Sequence, residues 1–474
     1  MQGRRFAPPD PPANEGGRPI RSVNPATEEE LASFEEHTPE DVERALARAW
    51  AARQGWRDTP VSSRAARFAE LSAYLRHDRP RLAALLTAEM GKPVVEAEAE
   101  VDKCAWTAEW FAEHVEAMLA PLAVRANATE SYVRFQPLGV VLAVMPWNFP
   151  LWQVFRAAIP AVLGGNVMVL KHASNVPQTA LEAERAFRRS GFPDGVFQTL
   201  LVGSAAVEAI VRDRRVAAVT LTGSDAAGAQ VAAVAGGALK KSVLELGGSD
   251  PFIVLEDADV AAAARVACRA RNQNNGQSCI AAKRFVVVEE VADEFERRFA
   301  EAVGALRVGD PMERDTNVGP LARGDLVTDL ERQVDESVAM GARAAVGGAR
   351  IDRRGYYFQP TVLTGVTRDM PVFREETFGP VAAVVRVRDE AEAEAVANDS
   401  AFGLGSAVWT GDVERGKRLA ARIEAGAVFV NGMVASDARL PFGGVKRSGY
   451  GRELSQFGLQ EFQNVQTVWV GPAR

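Results

Sequence analysis

Two segments near the start of the chain carry apolar residues at helical spacing. In 39–54 and in 62–78 these residues recur every three or four positions, which predicts two amphipathic helices. Thr38 and Ser62 stand at the start of the two patterns, and both residue types accept hydrogen bonds from the first turn of a helix. The pattern therefore predicts Thr38 and Ser62 as N-terminal caps.

Further along, short apolar runs rich in β-branched residues replace the helical pattern, and they form two series. The runs are 140–145, 167–170 and 216–221 in the first series, and 252–255, 285–288 and 427–431 in the second. Strands that alternate with helices predict parallel sheets, so the chain is expected to fold as two α/β domains. Two more strand-like runs, 130–135 and 467–470, belong to neither series.

Length and charge narrow the class of protein. With 474 residues the chain is too long for one hydrophobic core. The net charge of −7, spread over interspersed acidic and basic residues, argues against nucleic acid and anionic membranes as partners. Gly, Pro and Asn interrupt the apolar stretches, so no membrane-spanning helix is predicted. Residues 1–19 lack the apolar core of a signal peptide and are expected to be a disordered leader.

Three cysteines without zinc-like spacing favour the reducing cytoplasm and argue against a disulfide framework and a bound metal. Cys104 and Cys268 lie in helix-like and Ala-rich runs and are predicted to be core residues. Cys279 differs, because the Asn-Asn-Gly-Gln-Ser run before it is typical of a polar turn. A thiol in a polar turn is accessible, so Cys279 is the candidate nucleophile.

Glu245 is the candidate general base. It lies in an apolar run at 242–246 and is followed by a Gly pair, where burial would raise its pKa towards the range useful for a base. A glutamate on an edge strand that points into water is the alternative. One accessible thiol and one desolvated carboxylate together indicate covalent catalysis followed by base-assisted hydrolysis.

The runs around Cys279 and Glu245 resemble the two active-site signatures of the NAD(P)-dependent aldehyde dehydrogenase superfamily, and five further motifs recur in family order. They are Pro-Trp-Asn-Phe-Pro at 146–150, Leu-Lys-His-Ala-Ser at 170–174, Thr-Gly-Ser with a later Gly at 222–228, Glu-Glu-Thr-Phe-Gly-Pro at 375–380, and Pro-Phe-Gly-Gly-Val-Lys at 441–446 with Gly-Arg-Glu at 451–453. The motifs span nearly the whole chain. Within the superfamily, the stretches at 147–156 and 171–177 are most similar to bacterial succinate-semialdehyde dehydrogenases.

The resemblance implies a specific domain organisation. A Rossmann-like cofactor-binding domain is expected at 20–118 and 139–246, and a catalytic domain with its own parallel sheet at 247–440. The strand-like runs outside both series would form a small β oligomerisation arm, 119–138 with 455–474. Family members with such an arm are usually homodimers or homotetramers.

The resemblance also assigns catalytic roles. Cys279 attacks the aldehyde as a thiolate, and the Asn148 side-chain amide with the Cys279 backbone N–H stabilises the oxyanion. Hydride transfer to the nicotinamide leaves a thioester, which Glu245 hydrolyses through an activated water. Relatives that pass the acyl group to coenzyme A lack this carboxylate, and a non-catalytic structural relative is expected to have lost one of the three residues. The sequence therefore favours oxidation to a free acid.

No Gly-x-Gly-x-x-Gly run follows a strand, so the usual dinucleotide fingerprint is absent from the sequence. The resemblance instead places the pyrophosphate at Gly223, Ser224 and Gly228, where a helix N-terminus attracts anions. From the residues alone, this loop is typical of a capped helix start, and that is the alternative. The other family positions for the cofactor are Trp147, Lys171, Glu376 and Phe378.

Cofactor preference is predicted from Ser174. NAD-selective relatives commonly carry a Glu three residues after the Lys of this motif, and that carboxylate repels a 2′-phosphate. Here Ser174 replaces it, which removes the repulsion and adds a donor, while Lys171 can pair with the phosphate. NADP is therefore expected to be preferred over NAD. The alternative is that Ser174 only caps the helix that follows.

Arg156 and Ser436 match positions that hold the substrate carboxylate in succinate-semialdehyde dehydrogenases, so succinate semialdehyde is the expected substrate. A second Arg found in some members is Gln273 here, so glutarate semialdehyde and simple aliphatic aldehydes remain alternatives, as does a surface salt bridge for Arg156. Glu453 matches a position that assists proton relay. Ala281 stands where some members carry a second Cys, which excludes an intraloop disulfide switch.

Overall fold

The computed structural model describes residues 19–471, so the leader predicted for 1–19 lies, up to residue 18, outside the described residues. The strands are β1 (Ile20–Asn24), β2 (Glu29–Phe34), β3 (Leu122–Ala123), β4 (Glu130–Pro137), β5 (Val140–Met145), β6 (Val167–His172), β7 (Phe197–Leu200), β8 (Val216–Thr222), β9 (Lys241–Glu245), β10 (Asp250–Val254), β11 (Ala282–Val288), β12 (Arg343–Val346), β13 (Thr361–Thr364), β14 (Val381–Val387), β15 (Phe402–Gly403), β16 (Gly405–Trp409), β17 (Ala427–Val430), β18 (Val445–Lys446), β19 (Gly449–Tyr450) and β20 (Gln463–Val470).

Helices connect most of these strands. They are α1 (Pro39–Asp58), α2 (Val61–His77), α3 (Arg79–Met90), α4 (Val94–Met118), α5 (Trp152–Leu163), α6 (Pro177–Arg189), α7 (Ala206–Arg212), α8 (Asp225–Gly237), α9 (Val260–Asn272), α10 (Glu289–Gly304), α11 (Gly324–Ala339), α12 (Pro371–Arg374), α13 (Glu390–Asn398), α14 (Val413–Ala420) and α15 (Ser455–Glu461), with a 3₁₀ turn at Gln273–Gly276.

The two predicted helices at the start of the chain are α1 and α2, but only one of the predicted caps is confirmed. Thr38 accepts a hydrogen bond from the Asp41 backbone N–H and forms a capping box with it. The prediction for Ser62 is wrong, because α2 begins one residue earlier and Pro60 stands at its N-terminal cap position without a side-chain hydrogen bond. The carbonyl of Pro60 already accepts from the Arg64 N–H, so Ser62 lies inside the first turn.

The first large sheet has the order β19-β9-β8-β5-β6-β7, in which all neighbours run parallel except β19 against β9. Strands β5 and β6 are almost entirely buried, which explains their continuous apolar sequence. The carboxyl ends of β5, β6, β8 and β9 meet at one edge of this sheet. Ligand sites in open α/β sheets lie at that edge, and most of the predicted site residues follow these strand ends.

The second large sheet has the order β12-β13-β14-β11-β10-β16-β17 and is parallel apart from β12. Its faces are covered by helices that include α9 and α10 on one side and α11 and α13 on the other, with separate apolar cores. Cys268 lies in one of these cores and Cys104 in the core of the first sheet, so both core predictions are confirmed. Two helix-covered parallel sheets confirm the predicted α/β class.

A smaller antiparallel sheet of order β20-β4-β3 consists of the two runs that neither series needed. Strands β4 and β20 pair from Glu130 opposite Val470 to Pro137 opposite Gln463. Large apolar side chains on this sheet are exposed, among them Trp469 at 52% and Val465 at 62%. The sheet matches the position of the predicted arm, while its role and the domain boundaries stay predictions. In the described part of the chain, no helix is long and apolar enough to cross a membrane.

Candidate active site

The candidate nucleophile follows a tight turn between α9 and β11. Asn274, inside the 3₁₀ turn, has a left-handed backbone with φ of 59°, a conformation that Asn tolerates better than most residues. Its side-chain amide donates to the carbonyls of Asn148, at 2.8 Å, and Gln277, at 2.9 Å. Cys279 comes two residues after Gln277. The predicted polar turn is therefore present, and it is fixed to the loop that follows β5.

The next two residues attach the same turn to loops from both halves of the chain. The Asn275 side chain donates to the carbonyls of Gly91, at 2.9 Å, and Pro320, at 2.8 Å, and accepts from the Gly319 N–H at 2.7 Å. Gly276 has φ of 72°, and a Cβ atom there would lie 2.3 Å from the carbonyl carbon of Gly379. Only glycine fits between these two loops, so the turn has little freedom to move.

The thiol of Cys279 is half-buried, and its burial raises its pKa to about 11. The positive charges of Arg156 and Lys283 act in the opposite direction but do not compensate for the desolvation. The resting side chain is therefore the neutral thiol at pH 7. It must lose its proton before it can attack a carbonyl.

Lys283 supports the nucleophile from β11, and the sequence interpretation missed it. The fully buried Lys283 ammonium donates to the carbonyls of Ser278, at 2.9 Å, and Cys279, at 2.6 Å. It also pairs with the Glu376 carboxylate at 3.2 Å, and the same carboxylate oxygen accepts from the Gly248 N–H at 3.0 Å. The available signal was a pair of charged residues, Lys283 and Arg284, at the start of a strand that continues as an apolar run.

Glu245 is the last residue of β9 and is 2% exposed. Neither carboxylate oxygen accepts a hydrogen bond from any group in residues 19–471. Burial raises the pKa of this carboxyl group well above its usual value, and the nearby Glu453 adds to the rise, whereas Arg156 opposes it. The alternative of an edge-strand glutamate in water is therefore wrong. An unsatisfied, desolvated carboxyl group has the properties of a general base.

The strand end that carries Glu245 approaches the nucleophile directly. A Cβ atom on Gly248 would lie 2.5 Å from the Cys279 carbonyl oxygen, and one on Gly443 would lie 2.8 Å from the Glu245 Oε1 atom. Asn148 reaches the same loop from the other side, since its Nδ2 donates to the Gln277 carbonyl at 3.1 Å. Three segments that are distant in sequence thus bring the three predicted catalytic residues to one place.

Arg156, predicted to bind the substrate carboxylate, lies on α5 and is 1% exposed. It forms an ion pair with Glu453, donates to the Thr222 hydroxyl at 3.2 Å and stacks 4.6 Å from the centre of the Phe442 ring. The alternative of a surface salt bridge is wrong, because the pair is buried. Its substrate role stays a prediction.

Residues predicted to hold the cofactor surround the same sheet edge. The Trp147 and Phe378 rings meet edge to face with centroids 5.7 Å apart. A Cβ atom on Gly247 would lie 2.5 Å from Glu376 Oε2, so the backbone passes close to this carboxylate. Lys171, near the end of β6, is buried. The structure therefore places an aromatic pair and a close backbone segment with the predicted cofactor residues at the carboxyl edge of the sheet, where ligands of α/β sheets bind.

The loop after β8 is the capped helix start expected from its residues. Ser224 caps α8 by accepting from the Ala227 N–H at 3.3 Å, and the Gly223 N–H donates to the Glu245 carbonyl at 3.0 Å. Gly228 is a packing position, since a Cβ atom there would lie 2.5 Å from the Leu246 side chain. A capped helix start does not contradict an anion site, because the free N–H groups of the first turn remain at the helix N-terminus.

Ser174 is exposed in the loop between β6 and α6. Helix α6 begins at Pro177 after Val176, and no side chain caps it. The alternative that Ser174 caps this helix is therefore wrong, because the helix starts too far along the chain. The neighbouring His172 is neutral, with a pKa lowered to about 4 by burial, and its Nε2–H donates to the Pro150 carbonyl at 2.8 Å. This bond ties the loop after β6 to the loop after β5.

Ser436, the second predicted substrate residue, accepts a hydrogen bond from Lys103 at 2.6 Å. Lys103 comes from α4, and the sequence interpretation did not single it out. Among the described residues, no group of three or more His, Cys, Asp or Glu side chains is placed to hold a metal ion. The structure therefore brings the predicted catalytic residues together and adds two lysines that were not predicted.

The chain is similar to known proteins over most of its length. The sequence pattern of the aldehyde dehydrogenase family matches residues 12–468. A probable succinate-semialdehyde dehydrogenase (NADP+) of Synechocystis is 50% identical over 451 residues, which cover 95% of this chain and 99% of that protein. Succinate-semialdehyde dehydrogenase (NADP+) 1 of Mycobacterium tuberculosis is 52% identical over 456 residues, covering 95% of this chain and 100% of that protein.

Solved structures give the same result. Succinic semialdehyde dehydrogenase from Streptococcus pyogenes, crystallised with NADP+, superposes with a TM-score of 0.93 at 37% identity, over 95% of this chain and 100% of that one. Succinate-semialdehyde dehydrogenase from Burkholderia pseudomallei has a TM-score of 0.93 at 36% identity, over 96% of this chain and 95% of that one. The chain has a thiol and a buried carboxylate at its site, and it is similar to these proteins over nearly its full length. It therefore belongs to the aldehyde dehydrogenase family.

Proposed function

We propose that this aldehyde dehydrogenase oxidises succinate semialdehyde to succinate with NADP. The observation that carries the proposal is the unsatisfied carboxyl group of Glu245 beside the half-buried thiol of Cys279. Relatives that are 50–52% identical and bear the name succinate-semialdehyde dehydrogenase (NADP+) support the substrate and the cofactor.

The first step forms a bond between the Cys279 sulfur and the aldehyde carbon. The thiol proton passes to solvent as the bond forms, and the positive charges of Arg156 and Lys283 favour this ionisation. The carbonyl oxygen becomes an oxyanion, which the Asn148 side-chain N–H and the Cys279 backbone N–H stabilise. A donor of this kind contributes about 3–4 kcal/mol to the transition state.

The dinucleotide, when bound, supplies the acceptor for the hydride that the thiohemiacetal carbon loses. Glu376 would hold the nicotinamide ribose, the Trp147 and Phe378 rings would line that pocket, and Lys171 with Ser174 would meet the adenosine ribose and its 2′-phosphate. Ser224 would present the α8 N-terminus to the pyrophosphate. The close backbone at Gly247 and the exposed hydroxyl of Ser174 fit such a ligand.

Loss of the hydride leaves a thioester on Cys279, and Glu245 removes a proton from the water that attacks it. The acid is released, and the thiol returns to its resting form. Glu453, whose pKa burial also raises, is close enough to Glu245 to raise the pKa of that carboxyl group, and it forms an ion pair with Arg156. Because Glu245 is present and buried, hydrolysis is favoured over acyl transfer to coenzyme A.

The preference for NADP is tested at Ser174. A Ser174→Glu variant places a carboxylate where the 2′-phosphate is expected, so KM for NADP should rise about 10- to 100-fold while KM for NAD changes little. Ser174→Ala serves as the matched control, since it removes the hydroxyl without adding charge. A parent enzyme that favours NAD at least about tenfold, or a Glu variant with unchanged NADP affinity, would contradict the assignment.

Assembly and location complete the proposal. The exposed apolar side chains of the sheet β20-β4-β3 support a homo-oligomer, dimer or tetramer, that buries this sheet between subunits. The three cysteines are all free thiols, as expected for a protein of the reducing cytoplasm.

The substrate is tested by initial rates of NADPH formation with succinate semialdehyde, glutarate semialdehyde and butanal. The account predicts that kcat/KM for succinate semialdehyde exceeds that for butanal by about 10-fold or more, because a buried carboxylate partner discriminates strongly. Comparable values for both would overturn the proposed substrate while leaving the aldehyde dehydrogenase reaction intact.

A further inference from the structure

Lys103 occupies a position that the proposed reaction does not explain. It lies on α4, half-buried, and its ammonium donates to Ser436 at 2.6 Å and lies 4.3 Å from the centre of the Trp152 ring. Ser436 and Trp152 come from two other parts of the chain. A cation in contact with one neutral hydroxyl and one aromatic face is desolvated without a counter-ion.

The carboxylates nearest to Lys103 are engaged elsewhere. Asp437 accepts two hydrogen bonds from Arg439, at 2.6 and 2.8 Å. Glu100 pairs with Lys92 and accepts from the backbone N–H groups of Leu151 and Trp152 at the start of α5. Within residues 19–471, no carboxylate forms an ion pair with Lys103. The ammonium is therefore available to an anion that enters the site.

Arg156, the cation expected from the sequence, is in the opposite situation. Its guanidinium pairs with Glu453, donates to Thr222 and stacks on Phe442, so it already has a carboxylate partner. A substrate carboxylate that bound Arg156 would have to compete with Glu453 in a buried place. Lys103 faces no such competitor.

The spacing along α5 relates the two cations to the reacting atoms. Trp152, beside Lys103, and Arg156 are four residues apart and so lie on one helix face, about 6 Å apart along the axis. The positive charge of Arg156 lowers the pKa of Cys279, of Glu245 and also of Lys103, so the two cations face one region of the site. Lys103 lies against the first turn of α5, and Arg156 lies one turn further along this helix.

We propose that Lys103, with the Ser436 hydroxyl, binds the distal carboxylate of the substrate. This inference rests on the proposed function, because it needs a substrate with such a carboxylate. Arg156, which already pairs with Glu453, is the neighbouring cation on α5. Some family members carry a second Arg at the position of Gln273. We expect Lys103 to supply the second cation that this chain lacks there.

The charge of Lys103 is sensitive to pH in the range of an ordinary assay. Burial and the positive charge of Arg156 lower its pKa to about 8, while Cys104, Glu100 and Asp437 act weakly in the opposite direction. The ammonium is present at pH 7 and is lost as the pH rises through about 8. Affinity for a carboxylate substrate is therefore expected to fall above this pH.

The test compares Lys103→Met, Lys103→Arg and the parent enzyme on succinate semialdehyde and on butanal, which has the same chain length without the charge. Lys103→Met should raise KM for succinate semialdehyde about 10-fold or more and leave butanal within about twofold, and Lys103→Arg should restore most of the loss. Retained butanal activity shows that the variant is folded. Lys417→Met, at an exposed lysine of α14, is the matched control and should change neither substrate.

The pH profile gives a second measurement that needs no variant. The ratio of kcat/KM for succinate semialdehyde to that for butanal cancels the ionisation of Cys279 and Glu245. In the parent this ratio should fall about tenfold between pH 7 and 9.5, and in Lys103→Met it should be low and flat. Equal losses on both substrates, or an unchanged ratio, would overturn the role of Lys103. If the parent enzyme itself does not distinguish the two aldehydes, the proposed substrate is wrong as well. If the parent distinguishes them and only the expected effect of Lys103 is missing, the role of Lys103 alone is wrong.

Discussion

The loop that carries Cys279 and the strand end that carries Glu245 differ in how their polar groups are satisfied. Around the nucleophile, Asn274, Asn275 and Lys283 donate to backbone carbonyls on several segments. Around the proposed base, neither carboxylate oxygen of Glu245 accepts a hydrogen bond from a described residue, although the side chain is buried.

The difference follows from what each group must do. A nucleophile has to stand at a fixed distance from the carbon it attacks, so its loop is fixed by hydrogen bonds on either side. A base has to bind a proton readily, and hydrogen bonds to its carboxylate would lower its pKa. The protein therefore uses satisfied polar groups for position and one unsatisfied group for chemistry.

Removing the unsatisfied carboxylate should produce the largest effect. Glu245→Gln keeps the shape and removes the base, so steady-state turnover is expected to fall by about 10³-fold or more, while the first turnover still forms NADPH as a burst. Stopped-flow absorbance at the NADPH band measures both phases. A variant that loses the burst together with the turnover would show that Glu245 acts before the thioester forms.

Weakening the oxyanion site should have the next largest effect. Asn148→Ala removes one donor and is expected to lower kcat by about 10²- to 10³-fold with a small change in KM for the aldehyde. Asn148→Asp keeps the size but places a negative charge beside the oxyanion, so its loss should be at least as large. If both variants retain more than about a tenth of the activity, Asn148 is a structural residue of the loop.

The protonation of Cys279 gives a third test that leaves the sequence unchanged. Because its pKa is raised to about 11, the thiolate fraction, and with it the rate of alkylation by iodoacetamide, should rise about tenfold per pH unit between pH 7 and 9. The buried Cys104 and Cys268 should react far more slowly. Peptide mapping identifies the alkylated residue, and a rate that is already constant at pH 8 would show that the thiol ionises more easily than its burial implies.

The smallest effect is expected from removing hydrogen bonds of the turn that precedes Cys279. Asn274→Ala loses two hydrogen bonds and strains a left-handed backbone, so kcat should fall about tenfold and stability by about 1–3 kcal/mol. Asn274→Gly relieves the strain but not the lost bonds, and it separates the two causes. Asn431, also left-handed with φ of 54° but bonded to Thr410, is the matched control, and Asn431→Ala should lower the melting temperature without changing kcat.

Local patterns in the sequence were sufficient to predict much of this site. The polar turn before Cys279, the desolvated strand end at Glu245 and the core positions of Cys104 and Cys268 each follow from the residues beside them. The prediction for Ser62 is wrong because both Pro60 and Ser62 can precede a helix, and α2 begins directly after Pro60.

Contacts between distant residues were not predictable in this way. Lys103 meets Ser436 across 333 positions of sequence, and nothing near either residue indicates the other. The ion pair between Arg156 and Glu453 also joins two positions that are distant in sequence, and it gives one of the two cations a carboxylate partner. The sequence does indicate Lys283, as a charge in a buried strand. Its contacts with Cys279 and Glu376 are seen only in the folded structure, where the three segments come together.

The central claim is that Cys279 carries the acyl group and that Glu245 removes it. The most direct measurement is mass spectrometry of Glu245→Gln quenched in acid after a single turnover with succinate semialdehyde and NADP. The account predicts one succinyl group on the peptide that contains Cys279, accumulating at the rate of the NADPH burst. NADPH formation without that adduct, or an acyl group on another residue, would contradict it.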